Sequence, residues 1–390
     1  MVRGFCQVKC CQNSKILLSE TIVNQLEIKR CSKCILPERY PGIRFNKEGI
    51  CNFCLSFEKS WGRWINSERF RLNSKKKIEK IFSFSKRKKR EYDCLIPLSG
   101  GKDSLYVLYL CKKLYRLNIL SITGDNGFLS PMAKENIELA IRKLKVDHVF
   151  LKNVPYLKAL FRHFLLKTGN FCVPCNLCGL ITIFRFAVDK DIPLVIMGLS
   201  RRTDPVLPDG ANPWYFKNVI KDGFPSQQKY LSLYGPMAVI KLVSDFIFHG
   251  IRIINLPDYL EWDEEKISRI LQRELGVRIG EEHSDCIAHQ VADYLAQRRY
   301  GFGYKTIKYS LLIRNGFMNR DEALKKIMVE ETGKLPASID DFLKILGITI
   351  EDFHIAEKKA ASMDFKKYYK GCLNQAAITY RKIFFQRRLF

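Results

Sequence analysis

The chain has 390 residues, enough for two or three domains, and its 47% hydrophobic and 27% charged residues are the balance of a soluble globular protein. No uninterrupted apolar run reaches the roughly 18 residues a membrane span needs, so no span is expected and a cytoplasmic location is favoured. The formal net charge of +26 sets up a field that attracts anions: nucleic acid, nucleotide-linked sugars, ATP or an acidic protein.

Residues 1–30 read as a leader. Met1 to Arg30 carries no sustained apolar core beside a small-residue cleavage site, so no signal peptide is expected. Residues 31–60 form a cysteine-rich module in which Cys31-x-x-Cys34 and Cys51-x-x-Cys54 have zinc-ribbon spacing. Each knuckle offers two thiolates, and four thiolates close a tetrahedral site without an open position. The zinc expected there is therefore structural and folds a segment with few apolar residues of its own. Disulfides are the alternative, but paired Cys-x-x-Cys motifs in a long chain favour metal binding in a reducing compartment.

Residues 61–91 are basic and helix-like from Trp61 to Lys89. They hold Lys75-Lys76-Lys77 and Lys86-Arg87-Lys88-Lys89-Arg90, which with the tail Arg381-Lys382…Arg387-Arg388 are the densest positive runs. These runs are either solvated surface or anion-binding, and they lack an interleaved aromatic RNA-binding signature.

From residue 92 to 200, strand-like segments alternate with helix-like ones. The strands expected are Cys94–Leu98, Ile119–Thr123, His148–Leu151 and Leu194–Met197, and the helices Leu105–Leu117, Pro131–Leu144, Tyr156–Leu166 and Leu177–Val188. Such alternation predicts an α/β fold with a parallel sheet covered on both faces. Between the first strand and helix lies Pro97-Leu98-Ser99-Gly100-Gly101-Lys102-Asp103-Ser104. Two glycines let the backbone approach an anion, the first helical turn points its N–H groups at it, and Ser99, Ser104 and Lys102 add donors and charge. Ligands bind at the carboxyl ends of parallel strands, so Thr123, Asp125 and Gly198 are expected to line the same crevice.

Residues 201–335 read as a mostly helical region for substrate or partner binding, and 336–390 as a helical, basic tail. Helices are expected over Glu264–Leu275, Ser284–Gln297, Asp321–Val329 and Ile339–Leu346, with Asn319 and Glu322 at cap spacing. The stretch Ala211–Ile254 is the least readable. Its Pro213-Trp214-Tyr215-Phe216 would either stack on a sugar or base or belong to the core.

The Ser-Gly-Gly-Lys-Asp-Ser run is similar to the loop of the PP-loop ATP pyrophosphatase superfamily, whose domain is adenine nucleotide alpha hydrolase-like (HUP). That resemblance implies cleavage of ATP to AMP and pyrophosphate, transfer of AMP to a substrate oxygen, and ATP or pyrophosphate held by residues 97–104. A finer resemblance has three parts. Cys31-Ser-Lys-Cys34-Ile-Leu-Pro37…Pro41-Gly42-Ile43-Arg-Phe45…Glu48-Gly49-Ile-Cys51-Asn52-Phe-Cys54 looks like the amino-terminal signature of N-acetyl sugar amidotransferases. Tyr92 to Ser104 is similar to their ATP loop. Tyr300-Gly301-Phe302-Gly303…Ser310…Ile313-Arg314-Asn315-Gly316-Phe-Met318-Asn-Arg320-Asp-Glu322-Ala323 looks like their downstream segment. The family resemblance implies an ATP-dependent ligase that adenylates an N-acetyl sugar, often nucleotide-linked, for attack by ammonia. It also implies lipopolysaccharide, O-antigen or related glycan biosynthesis and a glutaminase partner that supplies ammonia. Asp103, Lys102 and Ser104 would be catalytic, with Mg2+ neutralising phosphate charge and Asp103 positioning the loop or the metal.

One departure stands out. Phe171-Cys172-Val-Pro-Cys175-Asn-Leu-Cys178-Gly179 carries an additional Cys178, and Cys286 lies far downstream. Cys172, Cys175, Cys178 and Cys286 could hold a second metal or an iron–sulfur cluster, as in PP-loop enzymes that thiolate tRNA, which the positive charge would also suit. They could equally be buried and inert, or Cys286 could be a reactive thiol near His289. A third function class, a non-catalytic zinc-ribbon adaptor on a degenerate ATP fold, is opposed by the intact loop.

Overall fold

The computed structural model describes residues 28–59, 62, 67–152, 154–200, 211–280 and 284–362. The leader up to residue 27, the basic run near residues 381–388, and Glu282 and His283 beside Cys286 lie outside these residues. The chain divides into two compact units. One takes residues 1–65, 202–208 and 290–339; the other takes 66–201, 209–289 and 340–390.

In chain order, α1 (Asn52–Lys59) belongs to the smaller unit. The larger unit continues with α2 (Glu68–Arg87), β1 (Cys94–Pro97), α3 (Lys102–Tyr109), β2 (Ile119–Asp125), α4 (Pro131–Leu144) and β3 (Asp147–Lys152). Then come α5 (Val154–Thr168), α6 (Cys172–Asp189), β4 (Leu194–Met197), α7 (Pro213–Lys221), α8 (Gln227–Tyr234), α9 (Pro236–His249), β5 (Arg252–Asn255) and α10 (Glu264–Leu275). The helix expected to run through Leu117 instead ends its α-helical part at Tyr109 and passes through a π turn over Leu110–Leu114.

The five strands form one parallel sheet in the order β3-β2-β1-β4-β5. The chain winds outward from β1 in one direction and resumes at β4 in the other. The switch point between β1 and β4 is where such sheets open a crevice at their carboxyl ends. Side chains alternate across the sheet as a period of two demands. Cys94, Ile96, Leu194 and Ile196 join a layer with α2, α3, α4 and α10, built around Ile78, Leu108, Ile137 and Leu271. Leu95, Val195 and Met197 join the opposite layer with α5, α6, α7 and α9, built around Phe164, Leu177, Phe216 and Leu242. Burial on both faces explains why β1 and β4 read as short continuous apolar runs. Tyr215 and Phe216 are fully buried in the second layer, so that aromatic cluster supplies core rather than a stacking platform.

The smaller unit joins the cysteine module to α11 (His289–Tyr300), α12 (Tyr304–Arg314) and α13 (Arg320–Glu330). Ile35, between the knuckles, packs with Tyr309, Ala323 and Ile327. Arg320 donates to the carbonyl oxygens of Cys31 and Cys34, with Nε 3.1 Å from the latter. The two distant signatures seen in the sequence are thus parts of one small folding unit. Glu331 accepts from the Thr306 N–H (2.7 Å) and hydroxyl (2.8 Å) at the start of α12. Burial, with Asp293 nearby, pushes its carboxyl up to about 7.

A carboxyl raised on folding contributes stability that is complete below the unfolded pKa and lost as pH rises through the folded one. We therefore expect Glu331 to weaken the smaller unit as pH climbs from about 4.5 to above 7. Melting curves of the wild type and Glu331→Gln across pH 5–8 should diverge in slope, the wild type falling more steeply. Parallel curves would remove Glu331 from the account. The last helices among the described residues are α14 (Ile339–Leu346) and α15 (Ile350–Ser362), and α15 packs along α5 in the larger unit, where Gly169 approaches Ala360.

Candidate active site

The loop after β1 is shaped by its own hydroxyls. The Ser99 N–H donates to Ser104 Oγ (3.2 Å), Ser104 Oγ donates to the Gly101 carbonyl (3.1 Å), and the Gly101 N–H donates to Ser99 Oγ (3.2 Å). Gly100 has φ +80°, and a Cβ there would lie 2.5 Å from the Ala133 carbonyl oxygen, so the sequence needs glycine at this turn. Gly101 is the N-cap of α3 and brings no side chain to the first helical turn. The result is a concave run of backbone leading into a positive helix end, suited to a phosphate group. Gly198, just past β4, reaches the same place: a Cβ on it would lie 3.0 Å from the Ser104 N.

Lys102, at the first position of α3, sits 3.0 Å from Asp103 Oδ2 and 3.6 Å from Glu264 Oε2. The other Asp103 oxygen accepts from the Trp262 indole N–H at 2.7 Å. Both Asp103 oxygens therefore have partners within the protein, which suits a group that fixes Lys102 and the helix start. Thr123 Oγ1 donates to the Leu98 carbonyl (2.8 Å), so it anchors the loop's entry. At the end of β2, Asp125 accepts from the Gly127 N–H (2.9 Å) and pairs with Lys134 (3.2 Å). Pro97, Leu98, Ser99, Gly100, Gly101, Lys102, Asp103 and Ser104 thus assemble one cradle, with Gly198 against it and Thr123 and Asp125 on the neighbouring strand.

Several participants gave little signal in the sequence. Asn136 donates to the Gly100 (3.3 Å) and Arg278 (2.7 Å) carbonyls, tying the cradle to the segment after α10. A buried asparagine on the apolar face of α4, among Ala133, Ile137 and Ala140, is the clue that was available. Asp285 also reaches the cradle, its Oδ2 lying 3.3 Å from where a Gly101 Cβ would be. Trp262 and Glu264 come from the turn into α10, too far along the chain for spacing rules to reveal.

The four cysteines set apart in the sequence do not gather as a metal-ligating group among the described residues. Cys172, Cys175 and Cys178 lie on α6, which begins earlier than the expected Leu177 because Pro174 is tolerated in a first helical turn. Cys178 is buried in the core, and burial holds its thiol protonated. Cys175 accepts from the Asn126 amide at 3.1 Å. Cys286 forms an antiparallel bridge to Leu129. Burial, with Cys175 nearby, pushes the Cys286 thiol up to about 12, so both thiols are neutral rather than activated.

The other four cysteines do converge. The Sγ atoms of Cys31, Cys34, Cys51 and Cys54 lie within 4.8 Å of one another, with Cys31–Cys54 at 4.0 Å and Cys34–Cys51 at 3.9 Å. Four sulfurs around a tetrahedral zinc at about 2.3 Å would stand about 3.8 Å apart. Backbone N–H groups already point at the sulfurs, from Cys51 to Cys31 (3.2 Å) and from Cys54 to Cys51 (3.4 Å). Such donors stabilise thiolates. Contact with the Cys34 thiol pulls Cys31 down, and contact with Cys31 pushes Cys54 up, so a divalent cation is what would let all four ionise together. The group can bind a metal.

A family described as the LPS biosynthesis protein WbpG-like C-terminal domain matches residues 281–379, about a quarter of the chain. An uncharacterised protein of Methanocaldococcus jannaschii, MJ1599, is 25% identical over 323 residues, covering 82% of this chain and 100% of that protein. Two solved structures align more loosely. The U34-tRNA thiolase NcsA of Methanococcus maripaludis with its [4Fe-4S] cluster has a TM-score of 0.30 and 15% identity, covering 78% of this chain and 88% of that one. The NH3-dependent NAD synthetase of Campylobacter jejuni, in complex with nitrate, has a TM-score of 0.28 and 15% identity, covering 76% and 97%. Overlays this loose do not bear on the reaction. The strand order and the Ser-Gly-Gly loop at the switch point define, by themselves, a parallel α/β domain with a phosphate-sized cradle.

Proposed function

We propose that this chain is an ATP-dependent amidotransferase of glycan biosynthesis that converts an N-acetyl group on a sugar into an acetamidino group. The cradle at Ser99–Ser104 carries the ATP half of this reading. Two serine hydroxyls hold the loop in shape, and it presents the first N–H groups of α3 together with a lysine held at that helix start. The WbpG-like match supports the glycan half.

The chemistry balances as follows. The amide oxygen of the N-acetyl group attacks the α-phosphorus of ATP, and the bond to the β-phosphate oxygen breaks, releasing pyrophosphate into the cradle. The amide carbon, now bonded to O-AMP, is electrophilic. Ammonia adds to it, AMP departs with its oxygen, and loss of a proton leaves the amidine. Lys102 and the first N–H groups of α3 bear the charge that builds on the departing pyrophosphate. Asp103, held by Trp262, keeps Lys102 in place. Magnesium, when bound, would neutralise part of the phosphate charge, and Asp103 in the cradle, Asp285 against it and Asp125 at the end of the neighbouring strand are carboxylates that could hold it. The four-cysteine group would hold zinc as a structural brace with no part in the reaction. Ammonia would come from a glutaminase partner, and the acceptor would be a nucleotide-linked or free N-acetyl sugar.

The deciding experiment incubates the protein with ATP, ammonia and a panel of N-acetylated nucleotide sugars. The expected products are AMP, pyrophosphate and a sugar whose amide oxygen has become NH. An absence of AMP with every acceptor would sink the reading. Trp262→Phe keeps the ring but removes the donor to Asp103, and its rate of AMP formation should fall about tenfold, the scale of one charged hydrogen bond. An unchanged rate would leave Asp103 positioned by Lys102 alone.

Cys175 and Cys286 support a second reading, sulfur transfer to tRNA, since both flank the segment that follows β2. Iron and inorganic sulfide in anaerobically purified protein would favour it, and colourless protein holding only zinc would count against it.

A further inference from the structure

The larger unit carries an exposed apolar stripe that its own core does not use. On α9, Met237, Ile240, Ser244, Ile247 and Phe248 face outward, with Ile247 74% and Phe248 88% exposed. Lys241 and Asp245, on the same helix, pair with each other at 2.9 Å and leave no net charge there. The Gln227–His249 segment is long and apolar enough to cross a bilayer by composition, and 28% of its most apolar 18-residue stretch is buried. It is two helices broken at Gly235, and it is built into the fold. A helix that is apolar outward and anchored inward has the character of an interfacial helix.

Charge lies beside the end of this stripe. Asp191 accepts from Arg90 at 2.9 Å and lies 3.7 Å from His249, so the end of α9 adjoins the basic run. Arg252, opening β5, stacks 3.9 Å over Phe84 of α2. The run from Lys86 to Arg90 is exposed throughout. Lys86 donates to the Tyr115 carbonyl, which places exposed Leu114 and Arg116 at the same edge. These residues precede a strand or, like Arg252, open one, so they occupy the amino-terminal edge of the parallel sheet. Among the described residues, the carboxylates at this edge include Glu79, which lies near Tyr115, with Glu91, Asp93, Asp147, Asp189 and Asp191. Asp93 accepts from the Asn118 N–H, Asp147 from the Tyr92 hydroxyl, and Asp191 is paired as above.

We propose that this corner docks the protein on an anionic lipid surface. The α9 residues Ile247 and Phe248 would enter the interface while the Lys86–Arg90 run meets the headgroups. Exposed aromatic and aliphatic side chains beside a polybasic run fit a bilayer, which offers hydrocarbon and negative charge together. Nucleic acid offers the charge but nothing to bury Ile247. The nucleotide cradle opens at the opposite, carboxyl-terminal edge of the sheet, so docking leaves it clear. The proposal does not depend on the amidotransferase reading, and its test uses no ATP.

The full chain is mixed with vesicles of phosphatidylcholine containing one part in three phosphatidylglycerol, or of phosphatidylcholine alone, and floated on a density gradient. Binding is expected only to the anionic vesicles and should weaken in high salt. Ile247→Ser with Phe248→Ser should lower partitioning more than about tenfold. Lys88→Glu with Lys89→Glu should do so by a similar factor. Both variants change exposed side chains, so their melting temperatures should match the wild type and separate lost docking from misfolding. Equal flotation with both vesicle types, or undiminished binding by the serine variant, overturns the proposal. So does a wild-type dimer that the serine variant turns into a monomer, or a gel shift with tRNA that only the glutamate variant abolishes.

Discussion

Gly100→Ala is expected to lose at least about a hundredfold in ATP-dependent AMP formation, the scale of removing one preorganised donor from a charged transition state. Two local effects act together. The left-handed turn at φ +80° costs a side chain about 1–2 kcal/mol. The new Cβ would also press on the Ala133 carbonyl oxygen at 2.5 Å, and backbone cannot step aside as a flexible side chain can. Relief of that overlap moves the loop away from α4, costs about another 1–3 kcal/mol, and opens the spacing between the Gly101 N–H and Ser99. The melting temperature should fall by roughly 5–15 °C. Gly124→Ala is the control, because a Cβ there meets nothing within 4 Å and φ is ordinary. Two alanine variants with the same melting temperature and the same rate would show that the cradle tolerates a shift the structure forbids.

The second large effect concerns the four thiolates. Cys51→Ser should strip bound metal from about one per chain to near none. It should also render residues 28–59 and Gln290–Ile339 sensitive to protease while the parallel sheet stays protected. A structural zinc in a small module carries about 10–16 kcal/mol of binding free energy, more than the apolar contacts around Ile35 can replace. Arg320 then loses the rigid carbonyls of Cys31 and Cys34, so damage spreads to α13. Limited proteolysis with metal analysis reads both effects. Wild-type protein without metal, or a serine variant as resistant as the parent, would show that the knuckles close by packing alone.

The sheet was legible where local signals agreed. Pro131–Leu144 was placed to the residue, because Ser130 caps the helix, accepting from the Ala133 N–H, and Pro131 starts it. Leu194–Met197 was placed equally well, as an apolar run buried on both faces. β5 was missed. Arg252–Asn255 is four residues long, and the apolar α9 before it masks the change of period. The β-branched Ile251, Ile253 and Ile254 after Gly250 were the cue. In the site, the Ser-Gly-Gly run could be read because a phosphate cradle is local in sequence. Trp262, Asn136 and Asp285 could not, because each reaches the loop only through the tertiary fold. Cys178 looked like a ligand for the opposite reason: three-residue spacing puts thiols on one side of a helix, and that side here meets the core as well as the crevice.

The two main pieces of the smaller unit, residues 1–65 and 290–339, are separated in the chain by all five strands of the sheet. On the ribosome, the knuckles emerge first and can gather four thiolates at once, but Tyr309, Ala323 and Ile327, which cover Ile35, arrive only after the sheet has been made. During that interval a metal ion and the module's own few hydrogen bonds would have to hold the amino-terminal module together. Zinc starvation should therefore be felt during synthesis, as nascent chains cleaved ahead of the sheet, more than in protein already complete.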